Sequence, residues 1–398
     1  MAFSVKPFTA TYYNRRFANT YSKLVCPPYD IISKKELSAL RKGSPYNFSN
    51  VLIADSNNYA KTAKVLHKWL DDKVLVDDRS ENFYLYEQEF CVDNKTFRRF
   101  GILSLLKMDK GSIFPHEYTL RGPKEDRKRI IKAVKANLSP VFIIASGRVK
   151  TLEEVYQVYR RKKPFVRFKD NDGNVNSVWV VKDKKQIKDI SRAFGKSKLV
   201  IADGHHRFEI SYDYFKKNKK CFKDLNYILA YITDCQDGLL VLPTHRIVNI
   251  PDNDDVFFKK LKPYFEVKKV TKNRLKSILK KADRFCLGVY RRKKTYLLEL
   301  KNPSILKDLA NDTLKELDTY VFHELVVPLF TLKDEIEYSH DFDQACKKAG
   351  PKKTVFFLRA ASLDSIIKIS SKGLRFPQKS TYFYPKVLSG IVIRRFNR

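Results

Sequence analysis

Glycine and proline are scarce in this 398-residue chain, at 13 and 16 residues, which excludes collagen-like, linker-like and low-complexity tracts. The six cysteines (Cys26, Cys91, Cys221, Cys235, Cys286 and Cys346) stand far apart, with no CxxC pair. That spacing excludes a zinc ribbon and a dense disulfide framework. No apolar run approaches the roughly 20 residues that a spanning helix needs. The N-terminal stretch MAFSVKPFTATYYNRRF lacks the apolar core of a secretion signal. A cytoplasmic protein with no membrane partner is the expectation. Acidic residues are also in deficit: 44 Asp and Glu face 79 Lys and Arg, a formal net charge of +35. Such a surplus can serve phosphate contacts with nucleic acid. Its clusters at Arg160–Lys163, Lys216–Lys220 and Arg291–Lys294 are short and scattered, however, and no basic tail is present. The charge therefore reads as a solvated lysine coat, and nucleic acid is the less favoured partner.

What is present suffices for real cores. Hydrophobic residues make up 43% and aromatics 13%, and the length suits two domains. Helical and strand periods both recur along the chain, so the fold class is mixed α/β (α+β). Ser33 and Glu36 have capping-box spacing for a short helix through Leu40. A helix is predicted over Tyr59–Asp72, and strands over Phe83–Phe90 and Phe97–Lys107 about the turn DNK. Pro123 suits the first turn of a helix reaching about Asn137, with Ile130, Ile131 and Val134 as its apolar stripe. Arg127 shares that inward face, and an inward arginine needs an anion. A strand over Asn137–Ser146 and a hairpin about DNDG (Asp170–Gly173) follow. The acidic run PDNDD at Pro251–Asp255 predicts a division into a catalytic region, 1–250, and a C-terminal α/β region, 251–398, packing on it.

The stretch LVIADGHHRFE, Leu199–Glu209, reads as a strand that turns at Gly204 and leaves as a helix. Such a turn points backbone N–H groups and a positive dipole end at one spot, which makes an anion site. Gly204 permits close approach or positive φ. His205, His206 and Arg207 add donors, Arg207 as a planar fork for phosphate oxygens. Asp203 at the strand end is the natural magnesium ligand beside such phosphates. Two other readings stand beside this one. In the first, Asp203 merely caps a helix with two solvated histidines. In the second, His205, His206, Asp203 and His116 ligate zinc or manganese. Adjacent histidines project in divergent directions, which disfavours the metal cage.

The box resembles the signature of the domain-of-unknown-function 1015 family. So do CPPYDIIS, SPYNF, PHEYTLRGPKEDR, ANLSPVF, LPTHRIV and PQKSTYFYPKVLSGIVI, in that family's order and over nearly the whole chain. Ser44 stands where the family usually has Asn before Pro-Tyr-Asn, a departure expected to cost little. The box is also similar to that of the ParB/sulfiredoxin-like superfamily, notably its free serine kinases. This resemblance implies a ParB/sulfiredoxin-like core with added strands and helices. It further implies a nucleotide phosphate site for ATP or ADP with Mg²⁺, and phosphoryl transfer to a small hydroxyl acceptor, free L-serine being favoured.

A separate carboxylate must then reach the hydroxyl proton. Glu117, after His116 in a proline-flanked loop, is one candidate. Asp30, aimed by the rigid Pro27-Pro28 turn, is the other. His206 is counted among both catalytic and phosphate-binding groups. Arg127, His116, and the His245-Arg246 pair at a strand end are the further phosphate candidates. Tyr382, Phe383 and Tyr384 are expected to pack a last strand on the core. Rival readings are a ParB-like nucleotide- or nucleic-acid-binding protein without catalysis, and a phosphoserine phosphatase using the same site.

Overall fold

Asp93 and Asn94 both adopt left-handed backbone, with φ of 51° and 61°, and close a tight hairpin between two apolar strands. The computed structural model describes residues 4–118, 122–195, 197–282, 285–309, 311–330, 336–350 and 353–396. The hairpin belongs to a nine-stranded mixed sheet. Its strands are β1 (Val5–Lys6), β2 (Phe83–Val92), β3 (Lys95–Lys107), β4 (Ile113–Pro115), β5 (Val141–Ala145), β6 (Val166–Lys169), β7 (Val175–Val181), β8 (Leu199–Asp203) and β9 (Tyr227–Thr233). They lie in the order β4-β8-β5-β9-β3-β2-β7-β6, with β1 also on β3. The β8–β4 and β9–β5 pairs are parallel and the others antiparallel.

Side-chain alternation splits this sheet into two unlike faces. Leu85, Ile102, Ile143, Ile201 and Ile232 point to one face, where Leu152, Val155 and Ile190 of two helices cover them. The other face carries Tyr86, Gln88, Arg99, Phe142, Asn176 and Tyr231, a polar and aromatic layer that is also buried. The unlike faces decide where the functional groups emerge.

Several expected elements form as the sequence predicts. The Ser33–Glu36 capping box is complete at α1 (Lys34–Gly43), and α2 spans Tyr59–Asp71. Ser44 accepts from the Tyr46 amide at 3.1 Å, so a serine serves here as an Asx-type turn residue. α3 (Gly122–Val134) stops short of Asn137 because Lys135 takes φ 51°. Ala136–Asn137 then pairs with Arg394–Arg395, so the single strand expected over 137–146 is two separate pieces. Pro140 lies between them, with no N–H to give a ladder.

The chain forms two compact units. One comprises Met1–Pro115, Thr119–Leu240 and Pro385–Arg398; the other comprises His116–Tyr118 and Val241–Tyr384. The division thus falls at 240/241 and not at 250/251, and the C-terminal residues return to the first unit. The acidic run misleads because it is structural. Asn253 caps the helix Asp254–Leu261, and Asp254 pairs with the buried Arg291 at 2.9 Å. The second unit holds an antiparallel sheet of six strands: β10 (His245–Asn249), β11 (Phe265–Lys269), β12 (Cys286–Arg291), β13 (Lys294–Leu300), β14 (Glu337–Ser339) and β15 (Lys353–Phe357), in the order β11-β13-β12-β15-β10-β14. Val248 and Phe356 pack with Phe322 and Val326 on one face, and Ile247 and Phe357 pack with Leu275 and Ala345 on the other. Among the described residues no helix is long and apolar enough to cross a membrane.

Candidate functional site

The strand–glycine–helix turn forms at the expected place. β8 ends at Asp203, Gly204 takes φ +88°, and α4 begins at His205 and runs to Asn218. A register shift lies between Ile201 and Asp203, so Asp203 stands opposite Phe142. Without that bulge Asp203 would share the apolar face of Ile201; with it the carboxylate joins the polar layer. Gly204 is required twice over. Positive φ strains any residue bearing a Cβ, and a Cβ here would lie 2.8 Å from the Arg207 guanidinium. Gly204→Ala should therefore cost at least about 1–2 kcal/mol and displace Arg207. Chemical denaturation would read the first effect and nucleotide titration the second.

Both carboxylate oxygens of Asp203 are engaged. Oδ2 accepts from Nη2 of Arg207, and Oδ1 accepts from Nζ of Lys386 at 2.7 Å. Asp203 is 13% exposed, Arg207 12% and Lys386 10%. Burial works against the Asp203 charge, but Lys386, Arg207 and His205 together hold its carboxyl well below the usual carboxylate range. Arg207 also donates Nη1 to the Pro140 carbonyl, while its Nε has no partner among the described residues. The expected free fork is thus closed on protein acceptors, and Arg207 acts as a brace. His205 and His206 lie half-buried in the first turn of the helix.

Lys386 is the residue that motif reading missed. It comes from the returning C-terminal segment, which the polar face of the sheet fastens. Arg99 donates to the Pro385 carbonyl, and Gln88 Nε2 donates to the Lys386 carbonyl at 3.1 Å. Ser389 bridges Cys26 through two backbone bonds and meets Ser139 at 2.6 Å. A lysine flanked by motif residues was visible in PQKSTYFYPKVLSG, but nothing in one sequence pairs it with Asp203.

Arg127 is buried, as the helical stripe requires, and its anion is the neighbouring Asp126, bonded to Nε at 2.7 Å. Nη1 donates to the Leu52 carbonyl at 2.7 Å, and the guanidinium lies 4.2 Å over the Tyr29 ring. Arg127 is therefore a structural ion-pair member whose donors are largely committed. Tyr29 links this pair to the turn. Burial first, and then Asp30, push its phenol up to about 12, against Arg207 and Arg127. Asp30 itself is exposed in the short turn Tyr29–Ile31 that follows Pro28.

The remaining candidates belong to the second unit. Glu117 accepts from the backbone amides of Lys379, Ser380 and Thr381 at 3.2, 3.0 and 2.9 Å, and from the Thr381 hydroxyl at 2.9 Å. A carboxylate so saturated anchors a loop. His116, 1% exposed, meets Thr381 Oγ1 at 2.7 Å between the edges of Phe376 and Phe383. Phe383 is fully buried, as expected for the last aromatic strand. His245 and Arg246 occupy β10, both buried. Burial, then Arg246 and His340, push His245 down to about 3. A histidine kept neutral when folded loses stability as pH falls from its unfolded value, roughly 6.5, towards that lower one. Lowering pH from 7 to 5 should thus depress the melting temperature, and His245→Phe should blunt the drop in calorimetry.

The residues do not fit a metal held by the protein. Among the described residues no group of three His, Cys, Asp or Glu side chains could hold one, and Asp203 has spent both oxygens on cations. Asp203 thus offers no free oxygen to magnesium, and no four-ligand cage with His116 stands among the described residues.

No curated protein sequence matches the chain. Among solved structures, a free serine kinase in complex with AMP aligns with a TM-score of 0.39 and 13% identity, covering 71% of this chain and 86% of that one. C-terminally truncated SbnI from Staphylococcus aureus aligns at 0.39 and 12%, covering 72% and 85%. A conserved hypothetical protein from Pyrococcus furiosus aligns at 0.35 and 15%, covering 70% and 89%. The profile described as "Protein of unknown function (DUF1015)" matches residues 5–320, and the chain belongs to that family.

Proposed function

We propose that the first unit binds the phosphates of ATP or ADP at the Asp203–Arg207 turn and transfers a phosphoryl group to a small hydroxyl acceptor, with free L-serine favoured. One observation carries this reading: Lys386, Arg207 and His205 converge on the turn where a left-handed glycine opens a helix. One carboxylate, Asp203, orients Lys386 and Arg207 and leaves the site with surplus positive charge. Fixed cations and a helix N-terminus are what a transferring phosphoryl group needs, since its chemistry is mostly positioning and charge neutralisation.

In this reading the acceptor oxygen bonds to the terminal phosphorus while the bond from that phosphorus to the nucleotide breaks. Asp30 takes the hydroxyl proton, because Glu117 has its lone pairs committed to the 379–381 amides. Lys386, His205 and His206 take the phosphate charge, with Asp203 and Arg207 holding them in place. Phosphorus NMR of the full chain with serine and each nucleotide, with and without Mg²⁺, tests it. A phosphoserine resonance is expected with one nucleotide. Nucleotide that stays intact under every condition overturns the transfer, and release of inorganic phosphate alone would make the protein a hydrolase.

A further inference from the structure

Among the described residues, four buried side-chain atoms without a hydrogen-bond partner come from three residues of the second unit. They are Nε and Nη2 of Arg246, Oγ1 of Thr244 and Nε2 of His323. Arg246 is fully buried, and of its donors only Nη1 is used, on the Thr244 carbonyl. It lies 5.3 Å over the Tyr338 ring and makes no ion pair among the described residues. The acidic charge it feels is Glu117, whose oxygens are held by the 379–381 amides. A guanidinium taken out of water without a counter-anion is costly, and buried polar groups left unpaired in a native protein call for a missing partner.

The backbone brings these atoms together. Arg246 and Val248 alternate onto the face of β10 that Phe322 and Val326 cover, and Phe356 is the register partner of Arg246. His323 follows Phe322 in a five-residue π-turn, Phe322–Val326, between the helical turns Asp318–Val321 and Val327–Phe330. Single π-turns are rare and concentrate where a side chain must be re-aimed for function. Burial first, and then the charge of Arg246, push His323 down to about 4, so its imidazole is neutral beside the guanidinium.

The unpaired atoms define a ligand. Nε and Nη2 lie along one edge of the guanidinium, and two parallel N–H groups match the two oxygens of a carboxylate. A single negative charge neutralises Arg246, whereas a phosphate dianion would leave excess charge in a low-dielectric interior. We propose that Arg246, with Thr244 and His323, binds a small carboxylate in the second unit, a site independent of the phosphoryl-transfer reading.

Acetate is the probe. Titrated at pH 7 into the full chain against sodium chloride at fixed ionic strength, it should raise the melting temperature saturably, as a ligand of the folded state does. Arg246→Met keeps the volume and should abolish the rise. Thr244→Val and His323→Phe should each raise the half-saturating acetate concentration at least threefold. An equal rise with chloride, or one that Arg246→Met retains, overturns the proposal. So does an Arg246-dependent rise with inorganic phosphate and none with acetate, since the site would then take tetrahedral anions. If Arg246→Met does not fold, unchanged half-saturation in both other variants overturns it as well.

Discussion

Lys386→Met should weaken nucleotide binding about tenfold or more, the roughly 1.5–3 kcal/mol of a charge-assisted hydrogen bond. Methionine keeps the buried stem of the side chain and removes only the ammonium, so packing is largely preserved. The loss acts twice. The phosphate loses a cation, and Asp203 loses the donor on Oδ1, leaving Arg207 and His205 as its counter-charges. The second effect has its own readout. Asp203 has a folded-state pKa below its unfolded value, roughly 3.9, so the stability it contributes is present above that value and is lost as pH falls below it. Without Lys386 the carboxyl moves up, and acid unfolding should begin at higher pH than in wild type. Calorimetric titration of ADP and an acid-unfolding curve measure the two effects. A shifted acid curve with unchanged ADP affinity would leave Lys386 as a structural counter-ion only.

Asp30→Asn should lower turnover by about 10²–10⁴-fold with nucleotide affinity unchanged, the loss expected when a positioned general base is removed. Glu117→Gln should do the reverse. Three backbone N–H groups point at the Glu117 carboxylate. A glutamine there must turn its own NH₂ towards donors or surrender bonds, so melting temperature falls while turnover per folded molecule holds. Phosphoserine formation followed by phosphorus NMR, with calorimetry on each variant, separates the two. Turnover lost in Glu117→Gln and kept in Asp30→Asn would exchange their roles.

The local parts of this site were legible in the sequence because local physics dictates them. A glycine between an apolar strand and a helical stripe has few uses, and the turn at Gly204 formed as expected. The helical stripe places Arg127 inward, but it does not tell that the adjacent Asp126 is the anion an inward arginine requires. Glu117 looked like a base because the loop that saturates it lies more than 260 residues along the chain. Lys386 was missed for the same reason. The domain boundary failed differently: PDNDD has the composition of a linker, yet its Asp254 carboxylate and Asp252 carbonyl hold Arg291. The motifs SPYNF and ANLSPVF act as fasteners. Buried Asn47 donates to the carbonyls of Lys23 and Val25, and the Pro140 carbonyl braces Arg207.

The separation of 183 positions between Asp203 and Lys386 also sets a timetable. During synthesis the strand, the glycine turn and the helix can form while the ribosome is still making the second unit. Until Pro385–Arg398 is released, Asp203 faces Arg207 without its second cation, and the Ala136–Asn137 strand waits for its partner Arg394–Arg395. A polypeptide broken off within the second unit would therefore carry the whole DGHHR box and still lack the Lys386 ammonium on Asp203.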